Sequence, residues 1–324
     1  MVQQLETPIL FLIFNRPDTT SKVFSRIKEV KPKKLFIAAD GPRNDKVGEE
    51  ELCEKTRKLV IDNIDWDCEV QTLLREGNLG CGKAVSSAIT WFFENVEEGI
   101  ILEDDCYPSI SFFYFCSNLL EYHRDDEKIF NICGTTFYST KENKNQDYYF
   151  TSYTHIWGWA TWKNRWAKYS YDMIGYPLEI ENIVRRKKLD REQEYYLRYI
   201  FDSVYNKSYK STWDYQFIFS FLKSDALCIK PYKNLITNIG FGEDATHTKS
   251  GVSLESHEIG HNLSLVKDII SDENANNYDW DMIRSKGNFF RTQNTMKHKL
   301  KTLLNKVFFE KFKEYVLEIK SCYT

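Results

Sequence analysis

The first 135 residues alternate between short apolar runs and segments whose apolar residues recur at helical spacing. Uninterrupted apolar runs of this length are typical of strands buried on both faces, whereas a spacing of three and four residues indicates amphipathic helices. Strands that alternate with such helices form a mostly parallel sheet with helices on both faces, so the pattern predicts an α/β fold. The predicted strands are 9–14, 35–39, 69–74, 99–102 and 129–133.

Beyond Gly134 this alternation stops. Residues 137–165 are rich in aromatic side chains and turns, 180–224 show helical spacing interrupted near Ser211, and 228–250 return to short strands and a loop. No repeat or low-complexity linker separates these parts. We therefore expect one compact domain with two halves, followed by a helical extension. The predicted boundaries are 1–135, 136–262 and 263–324.

The C-terminal extension is basic. Between Arg284 and Lys320 there are ten Lys or Arg residues and three Glu residues, and apolar residues recur among them near helical spacing. A basic amphipathic helix can lie on an anionic membrane surface, so peripheral membrane contact is one expectation. A helix that packs on the body of the protein with its lysines in water is the equal alternative.

Composition excludes several classes of protein. A net charge of −3, with 28% charged residues, gives no basic footprint for nucleic acid. The eight cysteines are scattered without a CxxC pair, which argues against a zinc ribbon and favours free thiols. No apolar run approaches the roughly 18 residues of a membrane span. We therefore expect a cytoplasmic protein.

The strongest chemical signal is the acidic triplet Glu103-Asp104-Asp105, which directly follows the apolar run 99–102. Adjacent carboxylates repel one another unless a positive charge lies among them. A divalent cation with hard oxygen ligands, shared with the phosphates of a nucleotide, is a common solution. A solvated acidic turn is the structural alternative.

Polar residues follow the other predicted strands as well. Asn15 and Arg16 follow the first strand, Asp40 the second, and a loop with Asn78 and Gly80 the third. The carboxyl ends of parallel strands lie at one edge of a sheet, where α/β proteins bind ligands. Arg16 can pair with a phosphate, and Asp40 can accept hydrogen bonds from a base or a ribose. Their recurrence after successive strands predicts a nucleotide site.

These motifs resemble those of sugar-nucleotide-dependent glycosyltransferases with the GT-A fold. The matching segments of the first half are PILFLIFNRP, AADG, REGNLGCGKA and IILEDD. In the second half, Trp157-Gly158-Trp159, Trp213-Asp214, Gly240-Phe241-Gly242 and Thr246-His247 follow in the order seen in the N-acetylglucosaminyltransferase I family. Uncharacterised bacterial glycosyltransferases show the same pattern. The resemblance covers roughly residues 8–250.

The resemblance implies a role for each matching residue. Asp214 is the implied catalytic base, and Asp105 is the implied ligand of a divalent metal, Mn²⁺ or Mg²⁺, with His247 as a further candidate ligand. The implied nucleotide-sugar site consists of Asn15, Arg16, Asp40, Asn78, Gly80, Lys83, Glu103 and Asp104. The implied acceptor and sugar pocket consists of Trp157, Gly158, Trp159 and Trp213, for which core packing is the alternative.

The chain also departs from the family pattern. Asn15 precedes Arg16 where an aspartate is typical, and Tyr215 follows Asp214 where another acid is common. The membrane anchor of the eukaryotic members is missing, which fits an enzyme of bacterial surface glycan synthesis.

The resemblance predicts an inverting, metal-dependent glycosyltransferase. It would use a UDP-sugar, with N-acetylglucosamine as one candidate sugar, and a saccharide or lipid-linked saccharide acceptor. Alternatives are a retaining transferase, a sugar nucleotidyltransferase, a metal-dependent hydrolase and a non-catalytic sugar-nucleotide-binding protein. The nucleotidyltransferase is disfavoured because no glycine-rich loop follows the first strand.

Overall fold

The structure is a computed structural model that describes residues 4–138, 146–208, 211–240 and 254–286. The strands are β1 (Ile9–Ile13), β2 (Lys34–Ala39), β3 (Glu69–Leu74), β4 (Glu98–Glu103), β5 (Cys106–Pro108), β6 (Ile129–Cys133), β7 (Tyr148–Thr151), β8 (Trp159–Trp162), β9 (Leu227–Pro231) and β10 (Ile236–Asn238). The helices are α1 (Pro17–Val30), α2 (Glu49–Ile61), α3 (Cys81–Asn95), α4 (Ile110–Tyr122), α5 (Lys163–Trp166), α6 (Tyr176–Lys187), α7 (Arg191–Tyr205), α8 (Asp214–Lys223) and α9 (Glu273–Lys286).

The fold is α/β, with a large, mostly parallel sheet. Its strand order is β3-β2-β1-β4-β8-β6-β9-β7. The first four strands in this order are mutually parallel, and β6 and β9 run in the same direction, whereas β8 and β7 are antiparallel to their neighbours. The α/β fold class predicted from the sequence is confirmed, and all five predicted strands belong to this sheet.

Helices cover both faces of the sheet, because each central strand sends apolar side chains to both sides. In β1, Ile9, Phe11 and Ile13 pack with α1, α2 and α4, whereas Leu10 and Leu12 pack with the cluster that contains α3 and α5–α8. A strand of uniformly apolar residues is stable only between two helical layers, which is the arrangement observed.

Strand β8 is the main difference from the sequence prediction. The aromatic segment Trp159–Trp162 is a central strand, inserted between β4 and β6 and antiparallel to both. All four of its residues are buried. Its apolar composition suits this position, but the pairing with β4 and β6 is not encoded locally.

A second, two-stranded sheet lies next to the carboxyl end of β4. It pairs β5 with β10 in antiparallel register, and Cys106 lies opposite Asn238. This pairing brings residues 238–240 to the acidic triplet.

The chain divides into two compact units, Met1–Asn276 and Asn277–Thr324. Only residues 277–286 of the second unit belong to the described part, and there they continue α9. The basic C-terminal helix expected up to Lys320 lies outside the described residues. Among the helices that the structure describes, none has the length and apolarity required to cross a membrane.

Candidate functional site

The polar residues that follow β1 to β4 meet at one edge of the sheet. These strands are parallel neighbours, so the residues after their carboxyl ends are adjacent. Arg16 lies immediately before α1, Asp40 follows β2, Asn78 and Gly80 lie between β3 and α3, and Glu103 ends β4. The structure therefore places the sequence-predicted nucleotide site residues together, at the edge where α/β sheets bind ligands.

Arg16 provides the positive charge among the carboxylates of the triplet. Its guanidinium donates to Asp104 Oδ1 and lies 3.0 Å from Asp105 Oδ2. Asp104 is buried, with a side chain 4% exposed, and also accepts the backbone N–H of Phe14 at 3.3 Å. Burial opposes the charge on Arg16, but the two carboxylates outweigh it and raise the pKa of Arg16 above its ordinary value. Asp104 is thus committed to an internal ion pair, whereas Asp105 is partly accessible.

Glu103 is the member of the triplet without an internal partner. Within the described residues its carboxylate accepts no hydrogen bond, and burial together with the charges of Asp105 and Asp104 raises its pKa. Asp214 also contributes to this rise, and the charges of Glu103 and Asp214 both act on the thiol of Cys81, the first residue of α3. Asp214 therefore lies close enough to the acidic triplet and to the start of α3 for their charges to interact.

Asp40 holds the loop between β3 and α3. Its carboxylate accepts the N–H groups of Gly41, Leu79 and Gly80 at 3.0–3.1 Å. Asn78 adds a hydrogen bond from its amide to the carbonyl of Gly41, at 2.8 Å. Gly80 has φ 78° and ψ 153°, a conformation that is essentially restricted to glycine. Asp40 shapes the loop through these bonds, and its contact with a base or ribose stays a prediction.

Asn15 and Lys83 have different surroundings. The amide of Asn15 donates to Glu49 Oε1 at 2.9 Å. Glu49, which begins α2, also accepts hydrogen bonds from the backbone N–H and the side chain of Arg43. Asn15, the residue before Arg16, thereby binds a buried carboxylate. Lys83 lies exposed in the first turn of α3, and its ammonium forms no ion pair with the parts of the chain that the structure describes.

Asp214 begins α8 and is held by its own segment. Its Oδ1 accepts the hydroxyl of Thr212 and, at 2.8 Å, the backbone N–H of Tyr215. The same segment packs on the start of α3, where the N–H of Gly82 donates to Ser211 Oγ at 3.2 Å. A Cβ at Gly82 would lie 2.7 Å from Ser211 Oγ and from the carbonyl oxygen of Thr212, so this approach requires glycine. The segment that carries the predicted base thus packs against the start of α3, next to the predicted nucleotide loop.

Asp105 is covered on one side by the chain that follows β10. The N–H of Ile239 donates to the carbonyl of Asp105 at 2.8 Å, and a Cβ at Gly240 would lie 2.8 Å from Asp105 Cβ. The segment that carries His247 follows Gly240 but lies outside the described residues, so the expected metal role of His247 stays a prediction.

The residues expected in the sugar pocket separate into two groups. Trp159 and Trp213 are buried and stack on each other, with ring centroids 5.9 Å apart. Gly158 is buried with φ 60°, and a Cβ there would meet the side chain of Ile236. The side chain of Trp157 is half-buried and contacts the ring of Phe137. Trp159 and Trp213 are therefore core residues, whereas Trp157 is only partly buried and stays a candidate for the sugar pocket.

The donor atoms present suit a divalent cation that is shared with a nucleotide. No group of three or more His, Cys, Asp or Glu side chains able to hold a metal lies within the described residues. Mg²⁺ and similar ions often use one or two carboxylates and complete their coordination with phosphates and water. Asp105, with Glu103 beside it, fits this pattern, and within the described residues the ion pairs of the triplet are those of Arg16 with Asp104 and Asp105.

Sequence reasoning missed the residues that hold the site together. Thr212, Ser211 and Glu49 were not predicted to contribute, although each binds a predicted residue or its loop. Thr212 is only two residues before Asp214 in sequence, so the contact between its hydroxyl and the carboxylate is a local one. The contact of Ser211 with Gly82 joins segments far apart in sequence, and no local pattern indicates it.

Comparison with known proteins adds little to this description. No family model and no curated protein matches the chain. Among solved structures, HddC from Yersinia pseudotuberculosis is 12% identical with a TM-score of 0.26, and 36% of this chain aligns with 55% of HddC. The glycosyltransferase GlyE from Streptococcus pneumoniae TIGR4 is 10% identical with a TM-score of 0.29, and 76% of this chain aligns with 57% of GlyE. The chain thus spans a little more than half of each, and likenesses this weak carry no argument about function.

Proposed function

We propose that this protein is a nucleotide-diphosphosugar-dependent glycosyltransferase that inverts the anomeric centre. The observation that supports it best is that Asp214, at the start of α8, lies close enough to the acidic triplet at the end of β4 for their charges to interact. Transfer to a hydroxyl requires a base near the acceptor and positive charge near the leaving diphosphate. The site offers an acid cluster for a cation and, on a separate segment, a carboxylate held by Thr212 and Tyr215.

The donor is proposed to be a UDP-sugar bound over the loop between β3 and α3. The positive end of the α3 dipole lies at this loop and favours phosphate, while the N–H of Gly82 in the first turn is already bound to Ser211 Oγ. Lys83 in the first turn of α3 adds a charge that is not neutralised within the described residues. Arg16, held by Asp104, faces the same edge.

A divalent metal, Mn²⁺ or Mg²⁺, is proposed to bind Asp105 with Glu103 beside it. When bound, such an ion neutralises the charge that develops on the departing diphosphate. Without it, the surplus of carboxylates at this edge would repel a diphosphate. Arg16 holds Asp104 and Asp105 in place for this role through its paired contacts.

Asp214 is proposed to accept the proton of the attacking hydroxyl. The acceptor oxygen forms a bond to the anomeric carbon from the side opposite the diphosphate, the bond to the diphosphate oxygen breaks, and the proton moves to Asp214. One displacement inverts the centre. The acceptor is proposed to be a saccharide or lipid-linked saccharide, for which the half-buried ring of Trp157 is a candidate apolar surface.

The deciding experiment measures transfer from a panel of UDP-sugars with Mn²⁺ to saccharide acceptors, in wild type and Asp214→Asn. We expect a loss of about a hundredfold or more in kcat for the variant, because a general base is removed. Proton NMR of the product reports the anomeric configuration. Transfer by Asp214→Asn at the wild-type rate contradicts the base, and a retained configuration contradicts inversion.

Ligand binding is tested separately by thermal shift. UDP and UDP-sugars should raise the midpoint of wild type in the presence of Mn²⁺, and Asp105→Ala should lose this shift. A manganese-dependent shift without transfer to any acceptor would favour a non-catalytic binding protein. Donor cleavage at the same rate with and without acceptor would favour a hydrolase.

A further inference from the structure

Asp214 is held through one of its two carboxylate oxygens. Oδ1 accepts the hydroxyl of Thr212 and the backbone N–H of Tyr215, which lies 2.8 Å away. Oδ2 forms no hydrogen bond with any part of the chain that the structure describes. Within the described residues, Oδ1 is therefore bound and Oδ2 is left for a ligand, and Thr212 supplies one of the two bonds to Oδ1.

Thr212 is itself firmly fixed. Its side chain is buried, and its carbonyl accepts the amide of Gln216 at 2.9 Å, one turn into α8. The preceding residue, Ser211, accepts the N–H of Gly82 at the start of α3. Because these contacts fix the backbone on both sides of the Thr212 side chain, its hydroxyl donates from one position. The Asp214 carboxylate keeps this hydrogen bond in one orientation only.

We infer that Thr212 is a positioning residue, which directs Oδ2 of Asp214 at the acceptor hydroxyl. This inference rests on the proposed function. The physical basis is that a hydroxyl that donates to one oxygen of a carboxylate restricts the rotation of that carboxylate. A base fixed in a productive orientation avoids the loss of rate that small misplacements cause.

Charged and titratable groups on the neighbouring elements also act on Asp214. Glu103 at the end of β4, Cys81 at the start of α3 and Tyr169 after α5 all interact electrostatically with it. The effect of Thr212 is therefore measured as the difference between matched variants, in which these groups are unchanged.

The test compares wild type with Thr212→Val, which has nearly the same shape without the hydroxyl, and Thr212→Ser, which restores it. For Thr212→Val we expect kcat to fall about tenfold to a hundredfold with the donor KM within about twofold, because only orientation of the base changes. Thr212→Ser should recover most of this loss. Thr56→Val, a buried threonine in α2 whose hydroxyl donates to a backbone carbonyl, controls for the general cost of such a change.

A readout that needs no turnover is the orientation of the Asp214 side chain in crystal structures of the variants. Without the hydroxyl donor, Oδ1 of Asp214 keeps only the N–H of Tyr215, so the carboxylate should rotate in Thr212→Val and keep its orientation in Thr212→Ser. Unchanged kcat together with an unchanged orientation in Thr212→Val would overturn the inference. Absence of transfer in wild type, with the rotation present in Thr212→Val, would instead count against the proposed function alone.

Discussion

Gly240 lies against the carboxylate-bearing side chain of Asp105, so closely that no Cβ fits between them. A methyl group built on Gly240 would lie 2.8 Å from Asp105 Cβ and Cγ. The two residues are brought together by the pairing of β5 with β10, and Ile239 adds a hydrogen bond to the backbone of Asp105. The environment of the predicted metal ligand thus depends on a residue more than a hundred positions away in sequence.

Gly240→Ala should therefore displace Asp105 with a modest effect on stability. We expect a loss of about 1–3 kcal/mol in unfolding free energy, the usual cost of overpacking, and a clear loss of the manganese-dependent shift with UDP. Urea unfolding and thermal shift measure the two effects. Gly260→Ala, at a glycine with open space around it, is the control. Unchanged metal-dependent binding in Gly240→Ala would show that Asp105 does not need its present position.

Removal of Arg16 should be costly because it leaves Asp104 buried without a counter-charge. The side chain of Asp104 is 4% exposed, and that of Arg16 is 27% exposed. Breaking such a pair costs about 3 kcal/mol or more, whereas an exposed pair contributes about 1 kcal/mol or less. Urea unfolding should show a larger loss of unfolding free energy for Arg16→Met than for Arg124→Met. The second variant removes the pair between the exposed Arg124 and Glu98. Equal losses would mean that Asp104 finds another partner.

Asp40→Asn should loosen the loop between β3 and α3. In the wild type the carboxylate accepts the N–H groups of Leu79 and Gly80. The amide of the variant has one acceptor oxygen, and its NH₂ group would lie against one of these N–H groups. We expect a cost of about 1–2 kcal/mol and faster hydrogen exchange at these two amides. Hydrogen-exchange mass spectrometry or NMR measures this directly, with amides of β7 as the internal reference. Unchanged protection at Leu79 and Gly80 would contradict the role of Asp40 in shaping the loop.

The tryptophans should separate by their effects on stability and on acceptor use. Trp159→Ala removes a fully buried ring and should cost about 3–5 kcal/mol. Trp157→Ala removes a half-buried ring and should cost less, while raising the acceptor KM. Urea unfolding and acceptor titration provide the two measurements. An unchanged acceptor KM in Trp157→Ala would remove this ring from the proposed pocket.

Glu258 should stabilise the protein in a pH-dependent way. Its carboxylate accepts the N–H groups of Ile110 and Ser111, both at 2.8 Å, at the start of α4. Burial raises the pKa of Glu258, but the hydrogen bonds outweigh it and the net pKa lies below the ordinary value of 4.5. A depressed pKa means that the stabilisation is present above the ordinary value and is lost as the pH falls through the lowered one.

Glu258→Gln should accordingly be less stable than wild type by about 0.5–1 kcal/mol at pH 7, a figure reduced for solvent exposure of the carboxyl group. The difference should shrink below pH 4.5 as the wild-type carboxyl group becomes protonated. Urea unfolding of both proteins at several pH values measures it. A difference that stays constant down to acid pH would show that charge at Glu258 has no part in the effect.

The strand ends of the first half could be read from the sequence because their signals are local. An apolar run that stops at Glu103, or before Asp40, marks both a buried strand and the residue at its end. Parallel order then places these residues at one edge without any further information. The α/β fold and the convergence of Arg16, Asp40 and the triplet follow from this reasoning.

The remaining features depend on contacts between distant segments. The sequence is equally consistent with Trp159 as a pocket residue or a core residue. The pairing of β8 with β4 and β6 decides for the core. The sequence does not show whether the carboxylate of Asp40 has partners within the chain. In the structure both of its oxygens accept backbone N–H groups of residues 79–80. Arg16 supplies the positive charge that the acidic triplet needs, a role that the sequence analysis assigned to a metal alone.

The position of β8 also affects how the chain is synthesised. This strand is made after β6 but lies between β4 and β6, so the sheet has a gap until Trp162 has been added. A nascent chain that ends near residue 135 therefore exposes two unpaired apolar strand edges, which are prone to associate with other chains. The first half cannot be completed ahead of the second. Its sheet closes only when the segment that follows Trp157 folds into it, so completion of the sheet beside β4, the strand that ends in Glu103, waits for synthesis of that later segment.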